Sequence, residues 1–175
     1  MRRRAWLMGI AVVGGVAAGA GAAVWRARQS APKGSTSPAD LWSMSFVTVD
    51  GGPVPMAQFR DQRLLLNFWA TWCPPCVAEL ALLDGFARTH GAAGWRVLAL
   101  AIDTAEPVRR FTKERGLKLP IALAGADGLG LSRRLGNAQG GLPFTVAFDN
   151  QGHATKRRVG ALDPSLLEAW AQQMS

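Results

Sequence analysis

The chain has 175 residues, 49 % of them hydrophobic, and a formal net charge of +8. That length accommodates one domain with a real core plus a short appendage, and the apolar content excludes a disordered tail. The charge does not imply nucleic acid. Six basic residues and no acid lie up to Lys33 (Arg2, Arg3, Arg4, Arg26, Arg28 and Lys33 itself), while the rest holds 14 basic residues against all 12 acids. A body so nearly balanced offers no nucleic-acid face, and no nucleic acid is expected among its partners. The cluster Lys156, Arg157, Arg158 reads as a solvated strand or turn.

Residues 1–4, MRRR, form a basic tip. Residues 5–25, AWLMGIAVVGGVAAGAGAAVW, carry no charge. A stretch of about 20 such residues spans a bilayer as a helix. Trp6 and Trp25 sit near its ends, where indole rings favour the interface, and the preceding arginines keep this end in the cytoplasm. Five glycines weaken the span, and small-residue steps such as Ala18-Gly19-Ala20 offer a signal-peptidase site. Two fates are therefore open, an uncleaved inner-membrane anchor or a cleaved signal. Both export the body to the periplasm. A buried soluble helix fits poorly with so many glycines. Residues 26–40, ending in QSAPKGSTSPAD, read as a flexible linker, which leaves 41–175 as the folded domain.

Within that domain MSFVTV predicts a short strand, DGGP a bend and MAQFRDQ a helical turn. RLLLNFWA is an apolar run too short for a helix and reads as a strand buried on both faces. CPPCVAELALLDGFART predicts a helix with Cys76, Leu80, Leu83 and Ala87 on one stripe. WRVLALAID is a second doubly buried strand. AEPVRRFTKER is an amphipathic helix closed by Gly116, LPIALA a third strand and LGLSRRLG a short helix. LPFTVAFD, the turn NQG and HATKRRVG predict a hairpin. Asp163 caps a last helix whose first residue is Pro164. Strands alternating with helices, then a hairpin and a helix, indicate an α/β fold with a mixed central sheet flanked by helices.

The only two cysteines are Cys73 and Cys76, in WCPPC. Cys73 ends a strand and opens a helix, where unpaired N–H groups and the helix dipole favour a thiolate, the reactive species. Pro74 and Pro75 fit a first helical turn, where missing N–H groups cost little. Cys76 returns to the same side one turn deeper. Cys73 is thus the exposed attacker and Cys76 the resolving thiol. A structural staple closing so small a loop removes little chain entropy. Zinc needs about four ligands, and His90 and His153 are not spaced to help two cysteines. A reversible redox pair is the reading the residues favour, and neither metal nor cofactor is expected.

LLLNFWATWCPPCVAEL, with FVTVDGGPVPMAQF before it and GGLPFTVAFDNQG after it, resembles the thioredoxin family, in particular its exported, membrane-anchored branch around TlpA, ResA and the cytochrome c maturation thioredoxins. The resemblance covers about residues 42–175. It implies a thioredoxin-like fold and a cis proline at Pro143 facing the CxxC pair, with the Leu142 backbone offered to an extended substrate. Trp72 shields the site, whereas Trp69 reads as core. Cytoplasmic thioredoxins carry a buried aspartate six residues before the first cysteine. Here that place is Asn67, so the resemblance passes the proton-handling role to Glu79, one turn after Cys76. A proline commonly follows at position 81 and kinks the helix. Here it is Ala81, which puts the reach of Glu79 in question.

The expected activity is that of a thiol–disulfide oxidoreductase facing the periplasm. It reduces disulfides in exported proteins, with apocytochrome c a candidate substrate, and draws electrons from a membrane donor. An oxidase or isomerase is the alternative within the class. A thiol peroxidase would need more than Thr71 beside its cysteine, and a copper-site assembly factor would need histidines near the thiols.

Overall fold

A computed structural model describes residues 41–174. The expected anchor or signal, and the linker up to residue 40, lie outside the described residues. No helix among the described residues is long and apolar enough to cross a membrane.

Among the described residues there are seven strands and four α-helices. They are β1 (Ser45–Val47), β2 (Pro53–Pro55), β3 (Arg63–Trp69), α1 (Pro74–His90), β4 (Trp95–Ala101), α2 (Ala105–Arg115), β5 (Ile121–Leu123), α3 (Gly128–Arg134), β6 (Phe144–Phe148), β7 (Ala154–Val159) and α4 (Pro164–Gln173). The strands form one sheet in the order β2-β1-β5-β4-β3-β6-β7. β3 pairs in parallel with β4, and β4 with β5. β6 and β7 add antiparallel on one side, β1 and β2 on the other. The mixed sheet flanked by helices is the architecture the alternating pattern predicted.

β3 lies at the centre, and its two faces define the two cores. Leu64, Leu66 and Phe68 join Leu98, Phe144, Val146 and Phe148 on one face, covered by Met56, Phe59, Leu131 and Leu135. Leu65 and Trp69 point the other way, under α1, α2 and α4, among Leu80, Leu83, Val108, Leu167 and Trp170. Each fully buried Leu or Phe contributes roughly 1.5–3 kcal/mol, so this double burial anchors the strand. Asn67 shares the parity of Leu65 and Trp69. The alternation of a strand therefore sends a polar side chain into the α1 face of the core.

Three details depart from the sequence reading. The strand expected in MSFVTV is present as β1, but it pairs with a strand the sequence reading lacked, β2, the tripeptide PVP. Prolines are tolerated there because β2 is an edge strand, where a missing N–H breaks no interior ladder. LPIALA contributes only Ile121–Leu123 to the sheet. Asp84, a charged residue in mid-helix, is buried: it accepts hydrogen bonds from the N–H groups of Lys118 and Leu119 and pairs with Arg88 at 3.1 Å, tying α1 to the chain entering β5.

Candidate redox site

The site forms where β3 runs out and α1 begins. Ile102 N–H donates to the Trp69 carbonyl at 2.8 Å, and Cys73 N–H to the Ala70 carbonyl at 3.2 Å. Between them Thr71 is held by Asp103, whose Oδ2 accepts from the Thr71 N–H at 3.1 Å and from its hydroxyl. This clamp turns the chain so that Cys73 becomes the N-cap of α1, with Pro74 and Pro75 in its first turn. The thiols are joined as a Cys73–Cys76 disulfide.

Cys73 retains 6 % of its surface and Cys76 1 %. The order is the expected one, but Cys73 is far less open than a helix tip suggested. It packs in the same apolar cluster as Trp69 and Ala70, against which Leu142 also rests. Trp72, next to Cys73 in the chain, has 66 % of its surface facing solvent. Trp69 is fully buried and packs its ring 5.5 Å from that of Phe111 on α2.

Pro143 is buried and follows a cis Leu142–Pro143 bond. Its carbonyl accepts from the Gly160 N–H at 2.8 Å, which closes the end of the β6–β7 ladder. No hydrogen bond among the described residues uses the Leu142 N–H or C=O, and that residue is only half-buried.

Glu79 is 4 % exposed without any proline at position 81. Ala81 lies within an uninterrupted α1, and the carboxyl reaches the sheet all the same. Its Oε1 accepts from Asn67 Nδ2 at 2.7 Å and its Oε2 from the Leu162 N–H at 2.5 Å. Asn67 Nδ2 also donates to Thr145 Oγ1 at 2.9 Å. The register explains the grouping, since Asn67 sits opposite Thr145 and Thr145 opposite Arg158. Burial pushes the Glu79 carboxyl up to about 7; the Leu162 N–H, the Asn67 amide and the positive charge of Arg158 pull the other way. Glu79 and Cys76 are three residues apart on a helix, so their Cβ atoms are neighbours at roughly 5–6 Å.

Thr145, the Leu162 N–H and Asp103 had no place in the sequence reading, which took Arg158 only as part of a solvated cluster and weighed Thr71 only for a peroxidase site. Only the strand register and the path of the chain into α4 bring them in. Among the described residues no group of three His, Cys, Asp or Glu side chains is placed to hold a metal ion.

A CxxC disulfide at the start of a helix, with a cis proline leading into a late strand of a sheet of this topology, defines the thioredoxin-like thiol–disulfide oxidoreductases. The chain belongs to the Redoxin family, whose profile matches residues 27–170. It is 27 % identical over 135 residues to the thiol-disulfide oxidoreductase ResA of Bacillus cereus, covering 75 % of each chain. Among solved structures it is similar to a thioredoxin-family thiol:disulfide interchange protein from Chlorobium tepidum (26 % identity, TM-score 0.65, 75 % of this chain and 92 % of that one). A thioredoxin-related protein from Neisseria meningitidis serogroup B shares the fold (TM-score 0.67, 23 % identity, 74 % of this chain and 97 % of that one).

Proposed function

We propose that the chain is an exported reductase of protein disulfides, with Cys73 as nucleophile, Cys76 as resolving thiol and Glu79 as the group that handles the proton of Cys76. In the reduced protein the Cys73 thiolate, favoured by the positive end of α1, attacks one sulfur of a substrate disulfide. A mixed disulfide forms and the first substrate sulfur leaves as a thiolate, to be protonated by solvent. Cys76 then gives its proton to Glu79 and attacks Cys73 Sγ. The second substrate thiolate leaves, and the Cys73–Cys76 disulfide is restored. Two electrons pass from the dithiol to the substrate. A membrane-bound dithiol donor returns them by the reverse exchange.

The observation that carries this reading is the Cys73–Cys76 pair at the tip of α1 with the buried Glu79 carboxyl one turn behind it. A carboxyl titrating at about 7 is matched to accepting and returning a thiol proton near neutrality. Leu142, whose backbone groups are unused, and Pro143 form the edge on which an extended substrate segment docks, and Trp72 borders it. Residues 5–25 hold the domain to the inner membrane with residues 41–175 in the periplasm, and apocytochrome c is the candidate substrate there. The expectation is that the reduced protein transfers electrons stoichiometrically to a scrambled or oxidised exported protein, read by thiol trapping and mass spectrometry. A Cys73–Cys76 pair that stays reduced in the presence of such a substrate refutes the reading. Fractionation tests the anchor separately: a shortened soluble form would favour cleavage.

A further inference from the structure

The chain leading to and from the Leu142–Pro143 edge carries two arginines that form no ion pair among the described residues. Arg158 lies on β7 opposite Thr145, two residues before the Gly160 that bonds Pro143. It is exposed at the margin of the sheet, on the α1 face. Arg133 approaches from α3 on the other face: a Cβ placed on Gly140 would stand 3.3 Å from one of its guanidinium nitrogens, two residues before Leu142. Among the described residues neither guanidinium has a carboxylate within 4.0 Å, although the Glu79 and Asp163 carboxyls feel the charge of Arg158 at longer range, whereas the adjacent Arg134 pairs with Asp127 at 2.7 Å. Between them Val159, opposite Phe144 and 49 % exposed, offers an apolar step beside Gly141.

The neighbouring cations are otherwise engaged. Lys156 donates to Gln173 Oε1 at 2.7 Å, and Arg157 to the Leu135 carbonyl at 2.7 Å. The nearby acids are engaged too. Glu79 is buried with two donors, and Asp163 caps α4 by accepting from the Leu166 N–H at 2.9 Å and from Ser165. Residues 136–142 and 154–160 contain no acid at all. Charges along an edge strand discourage strand-to-strand aggregation, which would account for Arg158 by itself. It would not account for Arg133, which is on a helix, aimed at the same edge from the opposite face.

We infer that this edge selects disulfides carried on acidic polypeptide segments, with Arg133 and Arg158 as the specificity-determining cations. The inference rests on the reading of Leu142–Pro143 as the substrate edge. Aspartate or glutamate flanking the substrate cystine would meet one guanidinium on either side of the sheet while its apolar residue rests on Val159. Lysine in those places would meet two like charges, and such juxtaposition is what suppresses wrong partners. A flat anionic membrane surface is a poorer fit, because the two cations lie on opposite faces of the sheet.

The test uses the reduced full chain and two peptides of equal length, each with one intramolecular disulfide, flanked by glutamates in one and by lysines in the other. At low ionic strength the glutamate peptide should be reduced about tenfold faster in kcat/KM, from one exposed charge contact at each of two arginines. The ratio should shrink at high salt, as screening requires. R133E/R158E should invert the preference. R133E alone should weaken it without altering the pH dependence of the rate, since Arg133 is on the face away from Glu79. Equal rates for the two peptides, or a preference that survives R133E/R158E, would overturn the inference and leave the reductase reading intact. Salt-sensitive binding to anionic vesicles with no peptide preference would overturn it in favour of a membrane contact. Failure to reduce either peptide would refute the reductase reading, and this inference with it.

Discussion

Cys73 and Cys76 differ in position more than in exposure. One caps α1 and the other lies a turn inside it, and only the cap residue sees the full positive end of the helix. C76S should therefore accumulate a mixed disulfide through Cys73, whereas C73S should exchange nothing, both read on non-reducing gels after acid quench. Trapping by C73S would reverse the roles. In the proposed mechanism Glu79 acts on the second step. E79Q should slow resolution about tenfold or more, the usual range for a lost general acid–base group, while the initial attack by Cys73 stays within a few-fold of wild type. A wild-type rate of resolution would leave Glu79 as a buried structural acid. These residues were legible in the sequence because each is marked by spacing along one helix. The partners of Glu79 were not. Leu162 is 83 residues beyond it and meets the carboxyl only through the turn from β7 into α4, and Thr145, which accepts from its partner Asn67, is brought in by the pairing of β3 with β6. Asn67 was singled out for what it lacks relative to an aspartate. What it supplies is a donor: an aspartate there would face the Glu79 carboxylate with a second acceptor.

At the scale of elements, the turn from β7 into α4 matters most, because three of its four residues each have a task. Gly160 donates to Pro143, Leu162 donates to Glu79 and buries its side chain, and Asp163 caps α4. Gly160 has φ +91°, a conformation that side chains rarely adopt, and so allows the chain to leave the sheet here. D163A removes the acceptor of the Leu166 N–H and should cost about 1 kcal/mol in stability by urea unfolding. Because the same turn positions the Leu162 N–H, D163A should also move the pH profile of thiol exchange. A stability loss with an unchanged profile would confine Asp163 to capping. The helices and central strands could be read from sequence because their signals are local: a doubly buried run for β3 and β4, Gly116 in the left-handed region closing α2, and Asp163-Pro164 opening α4. β2 was missed because two prolines in three residues contradict strand propensity. Only its edge position removes the contradiction.

For the whole molecule, Glu79 makes stability depend on pH in a direction opposite to that of most carboxylates. Its pKa rises from an ordinary 4.5 to about 7 in the folded, oxidised protein. Below about pH 4.5 the carboxyl is protonated in both folded and unfolded chains, and the fold bears no cost from it. As pH rises from there to 7, the unfolded chain releases the proton while the folded chain keeps it, so stability falls. Above 7 the folded chain ionises as well, and the loss levels off. The full difference is about 3 kcal/mol, from 1.36 kcal/mol for each unit of pKa. That is a large share of the 5–15 kcal/mol that holds a typical domain together. The two donors on the carboxylate, with Arg158, keep the cost from being larger, since each favours the ionised form that burial disfavours. Urea unfolding of the oxidised protein across pH 5 to 8 should show this decline, and E79Q should flatten it by close to one proton's worth of slope, because the glutamine does not titrate. The slope is the quantity to compare, since the glutamine amide faces the same two donors with only one acceptor and shifts the absolute stability as well. Parallel curves for wild type and variant would mean that Glu79 titrates alike in the folded and unfolded chains, and that its burial among Asn67, Thr145 and Leu162 costs the fold nothing as the pH is raised.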